Sequence, residues 1–270
     1  MRARALAVNA ALVALSALTL FPLFWMASVS LMAPGEASRF PPPLLPAEPT
    51  LAHYRELLGD GGILRQALNT MGLAVAATVL SLTFNVAAGY AFAKLRFPGR
   101  DRLFRTLLGA LVIPAQVTMM PLFLMLKSMG LVNTYTGALL PWIAGVFGIF
   151  LVRQYALSIP DELLEAARID GAGLHRSFLQ IMVPLARPAL ATLCIFNFLW
   201  AWNEFLYALL LLTSDNVKTL TVGVLQLQGR FTTDYPALMA GLLITSLPVV
   251  GVYLLFQRHL VRAIVAGAVK

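Results

Sequence analysis

Six long stretches of this 270-residue chain contain almost no charged residues, and each is long enough to cross a lipid bilayer as a helix. Five of them lack Asp, Glu, Lys and Arg altogether, and the other contains one charged residue, Glu204. The six stretches are residues 5–35, 66–93, 106–126, 128–152, 188–214 and 235–257. The sequence therefore predicts an all-α integral membrane protein with six transmembrane helices.

The composition excludes an ordinary water-soluble enzyme. Charged residues make up 12% of the sequence, whereas soluble domains average about 25%. The first apolar stretch follows the basic residues Arg2 and Arg4, a beginning that also suits a signal peptide. It is roughly twice as long as the apolar core of a signal peptide and contains Phe21, Phe24 and Trp25. We therefore expect an uncleaved first transmembrane helix.

The distribution of basic residues predicts the orientation in the membrane. Fourteen of the 20 Lys and Arg residues lie on the side that holds both termini, and six lie on the other side. Because basic residues favour the cytoplasmic side of a membrane, both termini and the linker 153–187 are predicted to be cytoplasmic. The basic residues lie between the apolar stretches and form no continuous stripe, so the net charge of +8 does not indicate a nucleic-acid partner.

No catalytic, metal or nucleotide site is recognisable. A Gly-x-x-x-x-Gly-Lys-[Ser/Thr] phosphate loop is missing. His53, His175 and His259 lie on three different segments, which argues against a metal site, and the single cysteine, Cys194, offers no disulfide. Only one carboxylate, Glu204, lies within the predicted spans. We expect no catalytic residue, no metal, no bound cofactor and no enzymatic activity, so an uphill process would need an ion gradient or another subunit.

The linker between the fourth and fifth spans is predicted to form a helix, a sharp turn and a second helix. Ser158 and Asp161 have the spacing of a capping box, and the first helix should run to about Ile169. Residues 170–173 should break it, and a second helix should run from Leu174 to near Pro184. The residues expected to pack inward are Leu163, Leu164, Ala167 and Phe178.

Eight residues of this linker resemble the EAA loop of ABC importer permeases. They are Glu165, Ala166, Ala167, Asp170, Gly171, Ala172, Ile181 and Pro184. The resemblance implies a type I importer permease fold, with one permease domain over residues 1–270 and a coupling loop at 153–187. It also implies that Glu165 engages a cleft of a cytoplasmic ATPase and that Gly171 permits the turn. The alternative is an ordinary amphipathic linker at the membrane surface.

Further stretches are similar to the second permease of carbohydrate importers of the maltose and glycerol-3-phosphate type. They are residues 113–116, 131–135, 202–205, 257–258 and 266–270. This resemblance implies a second permease subunit, two ATP-binding subunits that hydrolyse ATP with Mg²⁺, and an extracytoplasmic solute-binding protein, in a bacterial or archaeal cell membrane. The chain ends one glycine before the usual ending of that family, so docking of the tail on the ATPase is left open.

Polar and aromatic residues in the fifth apolar stretch are candidates for the substrate pathway. Asn197, Trp200, Glu204 and Tyr207 stand at i, i+3, i+7 and i+10, which is one face of a helix. Hydrogen-bonding groups beside aromatic rings suit a sugar. The alternative is that Asn197 and Glu204 bond to neighbouring helices. Gln116 joins the candidates if the third helix opens at the preceding proline.

A second pattern predicts helix packing. Ala77, Ser81, Asn85 and Gly89 recur every four residues in the second stretch, and small residues at this spacing let membrane helices approach closely.

These observations together favour a subunit that forms half of the pathway for a sugar or oligosaccharide. The same machine importing glycerol-3-phosphate or another small solute is the first alternative. A proton-coupled transporter that uses Glu204, and a scaffold that moves no solute, are the others.

Overall fold

A computed structural model describes residues 2–59, 62–228 and 233–268, with side chains from residue 4 to residue 257 of those ranges. The described residues form helices and connecting segments, with no strand among them. The helices are α1 (Arg2–Val29), α2 (Ala52–Gly59), α3 (Gly62–Lys94), α4 (Arg100–Ala110), α5 (Ala115–Ser128), α6 (Tyr135–Leu139), α7 (Val146–Leu157), α8 (Asp161–Ile169), α9 (Leu174–Ser177), α10 (Val183–Leu185), α11 (Arg187–Trp202), α12 (Leu206–Leu211), α13 (Leu220–Leu225) and α14 (Tyr235–Ala268). The predicted all-α class is confirmed.

The described residues supply up to six candidate membrane spans. Three are single helices, at Arg4–Val29, Gly62–Lys94 and Tyr235–Gln257. Three more are pairs of helices bent at a short break: α4 with α5 by 102°, the segment Tyr135–Trp142 with α7 by 41°, and the segment Leu174–Leu185 with α11 by 78°.

The structure breaks the predicted third and fourth spans and shortens the fifth; an opening of the third span at Pro114 was one of the possibilities that the sequence left open, and the bend before α11 lies ahead of the predicted start of the fifth span at residue 188. α4 ends before Pro114, which has no N–H to donate to the preceding turn. The fourth pair begins at Tyr135 and not at residue 128, because α5 continues to Ser128 and ends before Gly130, which has φ +69°. The fifth span is helical only to Trp202, and α12 is a separate short helix.

Residues 2–67 and 220–248 form one compact unit. Within it, the Glu36 carboxylate is buried and accepts the backbone N–H groups of Ala33 and Ala47, at 3.1 and 2.8 Å. The buried His53 ring donates from Nε2 to the carbonyl oxygen of Met32, at 3.0 Å. These bonds hold the irregular segment after α1 against α2.

Residues 68–219 and 249–268 belong to a second unit, in which α3 packs closely on α7. A Cβ built at Gly89 would lie 2.7 Å from Cβ and Cγ1 of Val152, and one built at Gly148 would overlap the Asn85 side chain. Ser81 Oγ accepts a hydrogen bond from Asn85 Nδ2 at 2.8 Å. The close approach predicted from the small residues of α3 is therefore confirmed.

Candidate functional site

The predicted helix–turn–helix is present, and α8 forms its first arm. The helix begins after Pro160, and Asp161 and Glu162 occupy its first turn, where the helix dipole favours negative charge. The predicted capping box does not form. Ser158 Oγ donates instead to the carbonyl oxygen of Tyr155, at 2.7 Å, because Ser158 ends the preceding helix.

The turn after α8 has the backbone pattern of a Schellman motif. Gly171 has φ +80°, its N–H donates to the Arg168 carbonyl at 3.0 Å, and the Ala172 N–H donates to the Ala167 carbonyl at 2.8 Å. A Cβ at Gly171 would meet no atom within 4 Å. Glycine is therefore required by the backbone conformation and not by crowding.

Lys94, at the end of α3, ties down the start of α8. Its Nζ donates to the Ile159 carbonyl at 2.6 Å and to the Asp161 carboxylate, and its side chain is only 5% exposed. The hydrogen bond and the charge of Lys94 lower the pKa of Asp161, with Arg96 and Arg168 adding to the effect. This contact links a membrane-spanning helix to the linker.

The second arm runs through α9, a π-helical turn at Phe178–Met182, and α10. A regular helix was expected here; Pro184 contributes to the irregularity because it cannot donate to the preceding turn. The Phe178 ring packs on Tyr90 of α3 with centroids 5.1 Å apart. Ile181 and Met182 pack into the cluster that joins α3, α7, α8 and α11.

One face of the loop packs inward and the other is open. Leu164 is buried, whereas Leu163 is exposed, which corrects its expected inward packing. The eight residues that resemble the EAA loop divide in the same way. Glu165, Ala166, Asp170 and Gly171 are exposed, and Ala167, Ala172, Ile181 and Pro184 are partly buried.

Sequence reasoning missed Ile169, which is 87% exposed at the end of α8. Its signal was available, because Leu164 and Ala167 define the inward face and Ile169 lies off that face. Ile169 lies one helical turn after the exposed Glu165, on the face of α8 that does not pack inward.

The predicted pathway residues do not form one helical stripe, because α11 ends at Trp202. Asn197 is 9% exposed and its Nδ2 donates to Ser81 Oγ at 3.0 Å, which is a bond to a neighbouring helix. Trp200 is 49% exposed, with its ring centroid 5.7 Å from that of Phe147. Within the former stripe, the structure therefore separates a buried Asn197 from an open Trp200.

Glu204 and Tyr207 lie beyond the end of α11 and line one small cavity of about 30 Å³. Glu204 Oε1 accepts the N–H of Tyr207 at 2.9 Å, at the start of α12. The Tyr207 hydroxyl reaches the Ala115 carbonyl at 3.3 Å, beside the exposed Gln116 in the first turn of α5. The structure thus brings Tyr207 to the opening of the third span at Pro114.

No group of three or more His, Cys, Asp or Glu side chains is placed to hold a metal ion in the described ranges.

A protein family described as "Binding-protein-dependent transport system inner membrane component" matches residues 85–266. The arabinooligosaccharides transport system permease protein AraQ of Bacillus subtilis is 35% identical over 95% of this chain and 92% of its own length. The diacetylchitobiose uptake system permease protein NgcG of Streptomyces coelicolor is 33% identical over 97% and 88%. The sn-glycerol-3-phosphate transport system permease protein UgpE of Pectobacterium atrosepticum is 32% identical over 91% and 90%.

Two solved structures have the same fold. A bacterial ABC transporter involved in the import of the acidic polysaccharide alginate has a chain that superposes with a TM-score of 0.84 at 26% identity, covering 95% of this chain and 96% of that one. The MetNI methionine ABC transporter in inward-facing conformations superposes with a TM-score of 0.54 at 19% identity, over 74% and 95%.

Proposed function

Because this chain belongs to the family of inner membrane components of binding-protein-dependent transport systems, we propose that it is one permease subunit of an ATP-driven sugar importer. It forms half of the transmembrane pathway, and an extracytoplasmic binding protein delivers the sugar or oligosaccharide. Both termini and the linker 153–187 face the cytoplasm, in line with the excess of basic residues on that side.

The complete importer holds a second permease and two ATP-binding subunits. ATP and Mg²⁺ are bound and hydrolysed by those subunits, and this chain contributes no catalytic residue. The missing phosphate loop supports this division, as does the likeness to a chain of the alginate ABC transporter.

One observation carries the proposal. The elbow, formed by α8 and the turn at Gly171, packs on the rest of the chain with one face and exposes the other. Leu164 is buried behind it, and Lys94 holds its first residue. Glu165 and Ile169 face outward, with one charge and one large apolar side chain available to a partner. We infer that this exposed face contacts a cytoplasmic ATPase subunit, with the charge of Glu165 contributing specificity.

The anchoring gives a mechanism for coupling. When nucleotide binding closes the ATPase subunits, the docked α8 moves, and Lys94 passes that movement to α3. α3 in turn packs directly on α7 through Gly89 and Val152. Packed helices shift as units because their interfaces resist gradual deformation. The spans therefore reorient together, and the pathway opens alternately to the two sides of the membrane.

Neutral sugars are the preferred cargo. The names of two relatives specify arabino-oligosaccharides and diacetylchitobiose. Trp200, Tyr207 and Gln116 offer aromatic faces and an amide, which suit sugar rings and hydroxyls. Glycerol-3-phosphate is the second candidate, favoured by the similarity to UgpE. The apolar stretches contain no Lys or Arg to pair with a phosphate, which supports the sugar.

The test compares two charge reversals on the same helix. Glu165→Lys places a positive charge on the face that meets the ATPase and should abolish uptake by the reconstituted importer, while membrane insertion persists. Glu162→Lys changes the same charge on an exposed residue in the first turn of α8 and should leave most uptake intact. Normal uptake by the Glu165 variant would contradict docking through this face.

A further inference from the structure

A strongly basic cleft lies where α3 passes into α4, and the coupling mechanism uses none of its residues. Its volume is about 620 Å³. Four arginines and one carboxylate face it, with a phenylalanine and a glycine completing the wall. The lining residues are Arg96, Phe97, Gly99, Arg100, Asp101, Arg102 and Arg105.

Two of the arginines are fixed in the wall of the cleft. Arg100 donates from Nε to Asp101 Oδ1 at 3.1 Å and from Nη1 to the Leu95 carbonyl at 3.2 Å. Arg105 donates from Nε to the backbone carbonyl of Asp101 at 3.2 Å. Each guanidinium has five N–H groups, so most of its donors stay available.

The side chains of the other two arginines are exposed. In the described part of the chain, the guanidinium groups of Arg96 and Arg102 make no hydrogen bond and no ion pair within 4 Å, although the charge of Arg96 acts on Asp161 from a distance. Asp101, the one carboxylate of the cleft, is already paired with Arg100. The cleft therefore has positive charge and donor groups in excess of what its own residues use.

The backbone adds to this preference for an anion. α4 starts directly after Gly99, which has φ +79°, and no side chain caps the helix. The N-terminus of a helix carries a partial positive charge and unsatisfied N–H groups, so it attracts anions. The residues at this end of α4, Gly99, Arg100 and Asp101, line the cleft, and Asp101 supplies one negative charge in the first turn.

The cleft also has an apolar border. Phe97 lines the cleft and is 37% exposed, and Leu103, whose N–H donates to the Gly99 carbonyl one helical turn earlier, is 50% exposed, whereas Phe104 turns inward onto Phe92. The second charge-free stretch ends at residue 93 and the third begins at residue 106. The cleft therefore lies at the boundary between hydrocarbon and water.

We propose that this cleft binds the phosphodiester headgroup of an anionic phospholipid, with its acyl chains against Leu103 and Phe97. Basic pockets on the cytoplasmic side of membrane proteins bind such headgroups. A preference for basic residues inside the cell explains their number. That preference alone does not explain why four arginines line one cleft, next to a helix without a side-chain cap and an apolar border.

The experiment measures phospholipid binding to the purified complete importer in detergent, without ATP or transported solute. The affinity for short-chain phosphatidylglycerol is measured by titration and compared with the affinity for phosphatidylcholine of the same chain length. The test variant carries both Arg96→Gln and Arg102→Gln. The control variant carries both Arg39→Gln and Arg55→Gln, which remove two exposed charges elsewhere. A basic residue near an anionic headgroup contributes about fivefold in affinity. The first variant should bind phosphatidylglycerol about 25-fold more weakly, and the control should bind like the wild type.

Three results would overturn the proposal. They are equal phosphatidylglycerol affinity in the wild type and the assembled glutamine variant, no preference over phosphatidylcholine, and displacement of the lipid by an equal concentration of inorganic phosphate. If the double variant does not assemble, Arg96→Gln and Arg102→Gln are measured singly, each with an expected loss of about fivefold. The assay involves no transport, so its failure leaves the proposed permease function untouched.

Discussion

The close packing of α3 on α7 allows the effect of a substitution on stability to be predicted by comparing two glycines of α3, Gly89 and Gly72. Gly89→Ala places a Cβ 2.7 Å from Cβ and Cγ1 of Val152 and 3.0 Å from the Arg153 backbone nitrogen. Carbon atoms in ordinary contact are about 3.5 to 4.0 Å apart. The two helices must therefore separate by about 1 Å at this point. Overpacking of this kind costs about 1–3 kcal/mol of stability.

Gly72→Ala is the matched control, because Gly72 lies in the same helix and a Cβ there would meet no atom within 4 Å. Replacing an open helical glycine by alanine stabilises by about 0.5–1 kcal/mol. The same substitution should therefore lower the stability of the permease at Gly89 and raise it at Gly72. Val152→Ala removes one of the two contacts at 2.7 Å, so the Gly89→Ala/Val152→Ala double variant should recover part of the loss, with a coupling energy of about 0.5–3 kcal/mol.

The measurement is the denaturant midpoint of the purified permease in detergent micelles, compared between variants that show the same transition slope. A Gly89→Ala midpoint equal to or above that of Gly72→Ala would refute the close approach of α3 and α7. An absence of coupling with Val152→Ala would show that the cost arises elsewhere.

Three further predictions concern the loop and the pathway. Gly171→Ala should slow uptake because an L-residue at φ +80° costs about 1–2 kcal/mol. Gly173→Ala is the control and should not slow uptake, because Gly173 has φ −70°. Equal uptake rates for the two variants would contradict the need for glycine in the turn. Lys94→Met should lower the solute moved per ATP hydrolysed. Lys94 lowers the pKa of Asp161, so their ion pair contributes to the free energy of unfolding above the usual carboxyl pKa of 3.8. This contribution is lost as the pH falls through the lowered pKa. Acid unfolding should therefore show the loss in the wild type and not in the variant. Asn197→Ala should destabilise the permease by about 1 kcal/mol without changing substrate preference, since its amide bonds Ser81; an altered preference in competition uptake assays would place Asn197 in the pathway.

The sequence predicts the turn of the elbow because its geometry depends on neighbouring residues, and it predicts a close-packing face of α3, although not the partner helix, because small residues recur on one side of that helix. Gly171 is required by its own φ, and the residues that close the turn lie within five positions of it. The small residues of α3 recur on one helical face, and the structure packs Gly89 of that face against Val152. The capping box failed because the Ser158 hydroxyl is used by the preceding helix, whose end could not be placed from the pattern alone.

The pathway prediction depended on a helix continuing where it does not. Asn197 and Glu204 have helical spacing, but the chain leaves the helix after Trp202, and the Asn203 side chain donates back to the Leu199 carbonyl at 2.7 Å. An apolar stretch with few breakers reads as one helix, since periodicity carries no information about a local interruption of this kind.

The membrane-spanning class, the number of candidate spans and the turn at Gly171 were determined by the sequence, because the cost of charge in hydrocarbon and the preference for glycine at positive φ act on each residue locally. The bends in three spans, the bond from Asn197 to Ser81, 116 residues away, and the bond from Lys94 to Ile159, 65 residues away, were decided by the tertiary structure. A polar group in a membrane helix must find a partner. Which distant residue becomes that partner depends on how the helices pack, and local sequence does not encode it.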